Sequence, residues 1–381
     1  MLGVYLDVLE ASHEADVAEA RASSRRANAA LRQEILNVSE AQFRKRYRLS
    51  TDQYSKLVTE IEPYISTPLR TDGLDVETKI LIALSFYATG SYQTPVGDSK
   101  FHPASQASVS KALEEVTVAL NRPEIFHKYV KFPLSRHERE KVKRKFYRST
   151  RLPGVLGCVD GTHVAIVTPH EHEERYFNRK GYHSLNVLIL CDADLMIMSV
   201  DPSYPGATHD SKIWENHPLK GLMERLYEEE EDIYFLGDSG YPLRATLMTP
   251  IENALPGSPE AHYTSLHVSG RCCVERCIGV LKARFRCLLA DRRLHYSPEK
   301  AARITNACCV LHNIAHAGGI EYEPLTEEEA RRERQLTEGA SPRAPPAPED
   351  PASVARAVRA GRERRHRLVN QLWRQRHILP R

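Results

Sequence analysis

An α/β core behind an all-helical segment is what this 381-residue chain predicts, and three observations carry the expectation. Between Pro153 and Ile314 the apolar residues fall into short continuous runs, as buried strands do, alternating with helical stretches. Ahead of them, from about Glu40 to Val130, the apolar spacing is helical throughout. Within the strand-rich part, Asp160 and Asp238 each end or interrupt an apolar run, and Glu275 sits on a long amphipathic helix.

Residues 1–37 are rich in Ala, Glu and Arg, with apolar positions too sparse for a core stripe, and predict a loose helix or a tail. Residues 38–150 predict a helical domain. Leu49-Ser50-Thr51-Asp52 caps a helix before Tyr54 and Leu57, and Lys79 to Tyr87 is strongly apolar. A loop with Gly90, Pro95 and Gly97 follows, then a helix from Ser105 to Leu120. That helix has Val109, Leu113, Val116 and Leu120 on one face and Ser105, Gln106, Ser108 and Lys111 free to face outward. Two helices of this kind suggest a helix-turn-helix, but the joining loop exceeds the usual length, so a plain helical bundle packed on the next domain stands beside it.

Residues 151–320 predict the catalytic domain. Val155 to Val167 reads as a strand buried on both faces, and two further strands flank the turn Asp192-Ala193-Asp194 as a hairpin. His209 to Leu226 reads as a helix, Ile233 to Gly237 and Leu247 to Ile251 as a fourth and fifth strand. The Glu275 helix and a helix from Pro298 to Ala315 close the series. A mixed five-stranded sheet flanked by helices, in this order, is that of an RNase H-like fold. Residues 321–381 predict a linker around Pro345-Pro346-Ala347-Pro348 and an Arg-rich tail, partly disordered. The tail suits a nuclear-import signal, a non-specific DNA arm or a solvated amphipathic helix equally.

Composition excludes several classes. Hydrophobic content of 41% and charged content of 27% are ordinary for a globular chain. No apolar run reaches the roughly 20 residues of a membrane span, and the charged start does not resemble a signal peptide. The eight Cys form no C-x-x-C pair, which speaks against a zinc ribbon or a thioredoxin motif and for reduced thiols packed in helices. A net charge of +3 is too small for a wholesale nucleic-acid glue. Charge clusters do occur, acidic at 228–232 and 327–329 and basic from Lys141 to Arg151, and solvated faces would look the same.

Three carboxylates in fixed order are the chemical signal: Val159-Asp160-Gly161-Thr162-His163, Leu236-Gly237-Asp238-Ser239-Gly240-Tyr241-Pro242 and Val274-Glu275-Arg276. Phosphodiester cleavage needs an in-line oxygen nucleophile and help for the leaving oxygen, which two divalent ions about 3.5–4 Å apart supply. Mg²⁺ or Mn²⁺ takes oxygen ligands, so Asp160 is placed to bridge the ions while Asp238 and Glu275 each hold one. Asp210 either caps the helix it begins or adds a further metal ligand, with His209 beside it. Lys282 lies two turns beyond Glu275 and Arg286 one turn further, a row suited to DNA phosphates or simply to a surface helix. His170-Glu171-His172 reads as a solvated loop, and Cys308, Cys309 and His312 read as buried packing.

With Asn178-Arg179-Lys180-Gly181-Tyr182-His183-Ser184-Leu185-Asn186 and Pro205-Gly206-Ala207-Thr208-His209-Asp210-Ser211 added, these motifs resemble the Harbinger (PIF) superfamily of DDE transposases from about Gln42 to Ile320. Ala83 to Thr94 in the helical domain belongs to the same likeness. The resemblance implies an RNase H-like core, a DDE triad at Asp160, Asp238 and Glu275, a divalent metal cofactor with Asp210 as an extra ligand, and hydrolysis or transfer of DNA strands. It further implies DNA and a Myb-like DNA-binding accessory protein as partners, and a nuclear location with a cytoplasmic share; a homo-oligomer is left open, and the apolar runs give no reason to expect a membrane partner. A domesticated transposase that binds DNA or a partner without cleaving is the alternative, separable by replacing Asp160 or Asp238 with Asn.

Overall fold

The structure is a computed structural model that describes residues 38–67, 73–90, 105–337 and 351–377. Segment 1–37, the Pro95–Gly97 loop and the Pro345–Pro348 linker lie outside the described residues.

The amino-terminal part is helical: α1 (Glu40–Tyr47), α2 (Thr51–Ile61), α3 (Val76–Thr89), α4 (Gln106–Leu120), α5 (Pro123–Tyr129) and α6 (Arg136–Thr150). Local chemistry sets their starts. Ser39, Ser50 and Ser135 each accept from the third backbone N–H of the helix they cap, while Gln42, Gln53 and Glu138 reach back reciprocally. Ser50 is thus the cap its sequence predicts. In α4 the face with Val109, Leu113, Val116 and Leu120 is fully buried, while Ser105, Gln106 and Lys111 are exposed.

The sheet follows, from β1 (Val155–Ala165), β2 (Ser184–Cys191), β3 (Ile197–Pro205), β4 (Tyr234–Leu236) and β5 (Leu247–Met248), with the short α7 (Glu173–Tyr176) between the first two strands. Its order is β3-β2-β1-β4-β5. β1 is antiparallel to β2, and β2 to β3, whereas β4 runs parallel to β1 and β5 to β4. This is the mixed, RNase H-like sheet. Asp192 closes the β2–β3 hairpin by accepting from the N–H groups of Asp194 and Met196, both at 2.9 Å.

The span His209 to Leu226, expected as one helix, is two: α8 (Asp210–Asn216) and α9 (Pro218–Glu228). Pro218 has no N–H and clashes with a preceding helical turn, so the chain breaks at His217 and restarts with proline in the first turn. Next come α10 (Pro259–Arg284), α11 (Pro298–Ala317), α12 (Glu327–Thr337) and α13 (Pro351–Gln375). One apolar cluster joins the helical part to the sheet, running from Phe43 and Leu113 through Val155 and Ile189 to Leu281 and Val310.

The carboxy-terminal tail departs most from expectation. Rather than trailing away, α13 lays Leu368, Val369 and Leu372 into the main core. Arg364 of this helix is buried, donates to the backbone carbonyls of Ile233 (2.8 Å) and Ala245 (2.6 Å), and pairs with Asp232. Its guanidinium also lies 5.0 Å from the ring centres of Tyr227 and Tyr234. The acidic run at 228–232 is likewise partly structural, since Glu231 is buried in a two-bond pair with Arg139 at 2.8 and 2.6 Å. Among the described residues, no helix is long and apolar enough to cross a membrane.

Candidate active site

Strand register brings the first two carboxylates level. Cys158 of β1 pairs in parallel with Leu236 of β4, so Asp160, still within β1, and Asp238, just past the end of β4, each lie two residues beyond that pair. The burial of β1 relaxes from Asp160 to His163, where the strand opens onto the site. Gly161 lets a third carboxylate approach: a Cβ there would clash with the carboxylate of Asp210. Asp210 is the first residue of α8, not its cap, and makes no capping bond. Its Oδ1 instead accepts from Asn186 Nδ2 at 2.6 Å, and Asn186 also donates to Thr208 O at 2.8 Å. The capping alternative for Asp210 is therefore corrected.

Glu275 reaches the site through an intermediary. Arg271, one turn earlier on α10, donates to Asp160 Oδ2 at 2.8 Å and pairs with Glu275 Oε1. The arginine is placed by the close approach of α10 to the sheet, where a Cβ on Gly270 would come within 2.9 Å of Leu236 Cδ1. Asp238 accepts from Gly240 N at 2.9 Å.

The site is short of positive charge. Burial pushes the Asp160 carboxyl up to about 7, with Asp238 and Asp210 adding to the rise against the pull of Arg271. Burial also raises Asp210, opposed by its bond from Asn186 and reinforced by Asp238. The Arg271 guanidinium is held above its usual range by Asp160, Glu275 and Asp238, which outweigh its own burial. The Tyr241 hydroxyl and Asn186 Oδ1 are buried with no hydrogen-bond partner among the described residues.

As arranged, no three His, Cys, Asp or Glu side chains among the described residues could together hold a metal ion. The donor set nonetheless fits a hard divalent cation. It is made of carboxylate oxygens, with Asp238 adding to the rise at both Asp160 and Asp210, and the Arg271 guanidinium stands as the cation between Asp160 and Glu275. Sequence reasoning passed over Arg271 and gave no role to Asn186 and Tyr241, although both stand in its motifs. The signal for Arg271 was its i, i+4 spacing from Glu275.

The two cations expected as a phosphate row do not form one exposed helical face. α10 ends at Arg284, so Arg286 lies in a separate 3-10 turn, and Lys282 is buried against Glu333 at 2.7 Å. Arg286 pairs with Glu329 at 3.2 Å. His312 is buried as expected, with Nε2 donating to Leu195 O at 3.0 Å.

Residues 159–313 match the family described as DDE superfamily endonuclease, which sets the class of protein. Enzymes of that superfamily generally use divalent metals. Two relatives named "Putative nuclease HARBI1", from Bos taurus and Homo sapiens, are 39% identical over 261 residues, covering 68% of this chain and 72% of theirs. A third, "Protein ALP1-like" from Arabidopsis thaliana, is 23% identical over 280 residues, or 69% of this chain and 66% of its own. The chain belongs to the Harbinger transposase-derived family of DDE-type nucleases. No solved structure matches it.

Proposed function

We propose that this chain is a divalent-metal-dependent nuclease that hydrolyses or transfers DNA phosphodiester bonds. The observation that carries the reading is the gathering of buried carboxylates at Asp160, Asp210 and Asp238, with Arg271 opposing the rise at Asp160 and Asn186 and Arg179 opposing it at Asp210. Asp160, Asp238 and Glu275 would hold the ions, with Asp210 as a further ligand. Bound divalent cations supply Lewis-acid activation of the attacking oxygen and neutralise the leaving one.

The chain's own groups do the rest. Asn186 orients Asp210, the Gly240 N–H orients Asp238, and Arg271 holds Asp160 and Glu275 at a common charge. The small net charge of +3 supports a Myb-like accessory protein as the partner that delivers the nuclease to its DNA, in the nucleus with a cytoplasmic share. A second reading, a domesticated DNA- or partner-binding protein that does not cleave, draws support from Arg271 bridging the two outer carboxylates.

The test is incubation of the purified chain, with and without the accessory protein, with labelled DNA in Mn²⁺ or Mg²⁺, alongside Asp238→Asn. Metal-dependent cutting that the variant lacks is the expected result. Binding without cutting in every condition overturns the nuclease in favour of the second reading.

A further inference from the structure

The inward face of α12 has the wrong chemistry for a packing helix. None of its described residues is buried, and its partly covered positions are Glu329, Ala330, Glu333 and Leu336. A helix held by the hydrophobic effect would carry apolar residues there. Leu336 does pack near Ala165, Tyr182 and Ala290, but half of the covered positions are carboxylates, and these make ion pairs. Glu333 takes the ammonium of Lys282 at 2.7 Å and the N–H of Ala290 at 2.7 Å, and Glu329 takes Arg286 at 3.2 Å. Just ahead of the helix, Glu323 pairs with Arg48 at 3.3 Å.

One of the covered cations, Lys282, reaches toward the acidic site. Lys282 also donates to the carbonyl of His163 at 3.0 Å, three residues along β1 from Asp160. Lys180 feels Lys282, Asp210 and Glu333 together, which sets the carboxylate of Glu333 and the acidic centre within reach of the same ammonium. Ion pairs of this kind nearly balance their desolvation cost, so one anion can replace another with little net change.

We propose that α12 is an acidic strap over a DNA-backbone track: Glu329 and Glu333 occupy the positions that backbone phosphates take on Arg286 and Lys282. Duplex entering the site displaces the helix. The identity of the anion rests on the nuclease reading above, but the strap does not require cleavage.

The full chain is mixed with a fluorescent DNA duplex without divalent metal, and amide hydrogen exchange is followed over 327–337. Exchange there rises on DNA addition if the strap lifts; DNA binding with unchanged protection overturns the proposal. In parallel, Glu329→Gln/Glu333→Gln is expected to bind the duplex about tenfold more tightly at low salt, two competing ion pairs having been removed. A folded double variant that binds no tighter, or binds no DNA, also overturns it. If the double variant fails to fold, the exchange experiment on the parent chain decides. Strap release without cutting in Mn²⁺ would sink the nuclease and keep the strap, and cutting with a protected α12 would do the reverse.

Discussion

Helix α10 carries charge near its middle and near its carboxyl end, and the two places are balanced in opposite ways. At the middle, Asp160 of β1, Asp238 beyond β4 and Glu275 of α10 itself gather around Arg271, and they outnumber it. At the end, cations are in excess within the helix itself, and the chain supplies Glu333 from 51 residues later to meet Lys282. Arg284 there is pushed down to about 10 by burial, and neighbouring His312 to about 3. The acidic centre therefore has a demand for positive charge that an external cation can meet. The basic end has the demand of Lys282 met internally, which is why one reads as a site and the other as a covered surface.

The largest expected effect tests the acidic half. Asp238→Asn keeps an oxygen for the Gly240 N–H but loses the charge, and metal-dependent cleavage should fall about 10³-fold, equivalent to several kcal/mol. A variant that cuts like its parent breaks the comparison outright. Next, Lys282→Met strands Glu333 in a nearly closed pocket and should cost about 3 kcal/mol in urea unfolding, with Lys282→Met/Glu333→Leu recovering most of it. Equal stability of the single variant would show that the basic end is not compensated as described.

Arg271→Gln leaves Asp160 and Glu275 without their shared cation and should cost about 2 kcal/mol in chelator. Mn²⁺ should then raise its melting temperature more than that of the parent; an equal rise would separate the guanidinium from the metal position. The smallest effect concerns pH. His312 has a folded pKa near 3 against 6.5 unfolded, so within that window the unfolded chain binds the proton and the folded one does not. Stability is thus present above about 6.5 and lost as pH falls, by up to about 1.4 kcal/mol per unit. Urea midpoints at pH 7 and pH 5 check this, and His312→Gln should reduce the difference without abolishing it, because burial also lowers His163 and His267.

Much of the acidic half was legible because its signals are local. A carboxylate interrupting a strand-like run, as at Asp160, or ending one, as at Asp238, stands out against the apolar period of its own neighbours. The basic half was not. Lys282 occupies the border of the α10 stripe, and nothing within the helix says whether that border meets solvent or Glu333. The same holds for Asp210, where a favoured capping residue was claimed instead by Asn186 from β2. Pro218 is the exception: the signal that splits α8 from α9 was in plain view.

By itself, then, the sequence determined the succession of strands and helices along the chain, the cap at Ser50 and the positions of the three acidic motifs, because period, caps and turn residues act over a few neighbours. Tertiary structure alone decided that Arg271 would join Asp160 to Glu275, that α12 would cover Lys282, and that the Arg-rich α13 would enter the core. Those outcomes depend on which distant charges and apolar faces are brought together on folding, and a charged side chain carries no local mark of the partner it will meet.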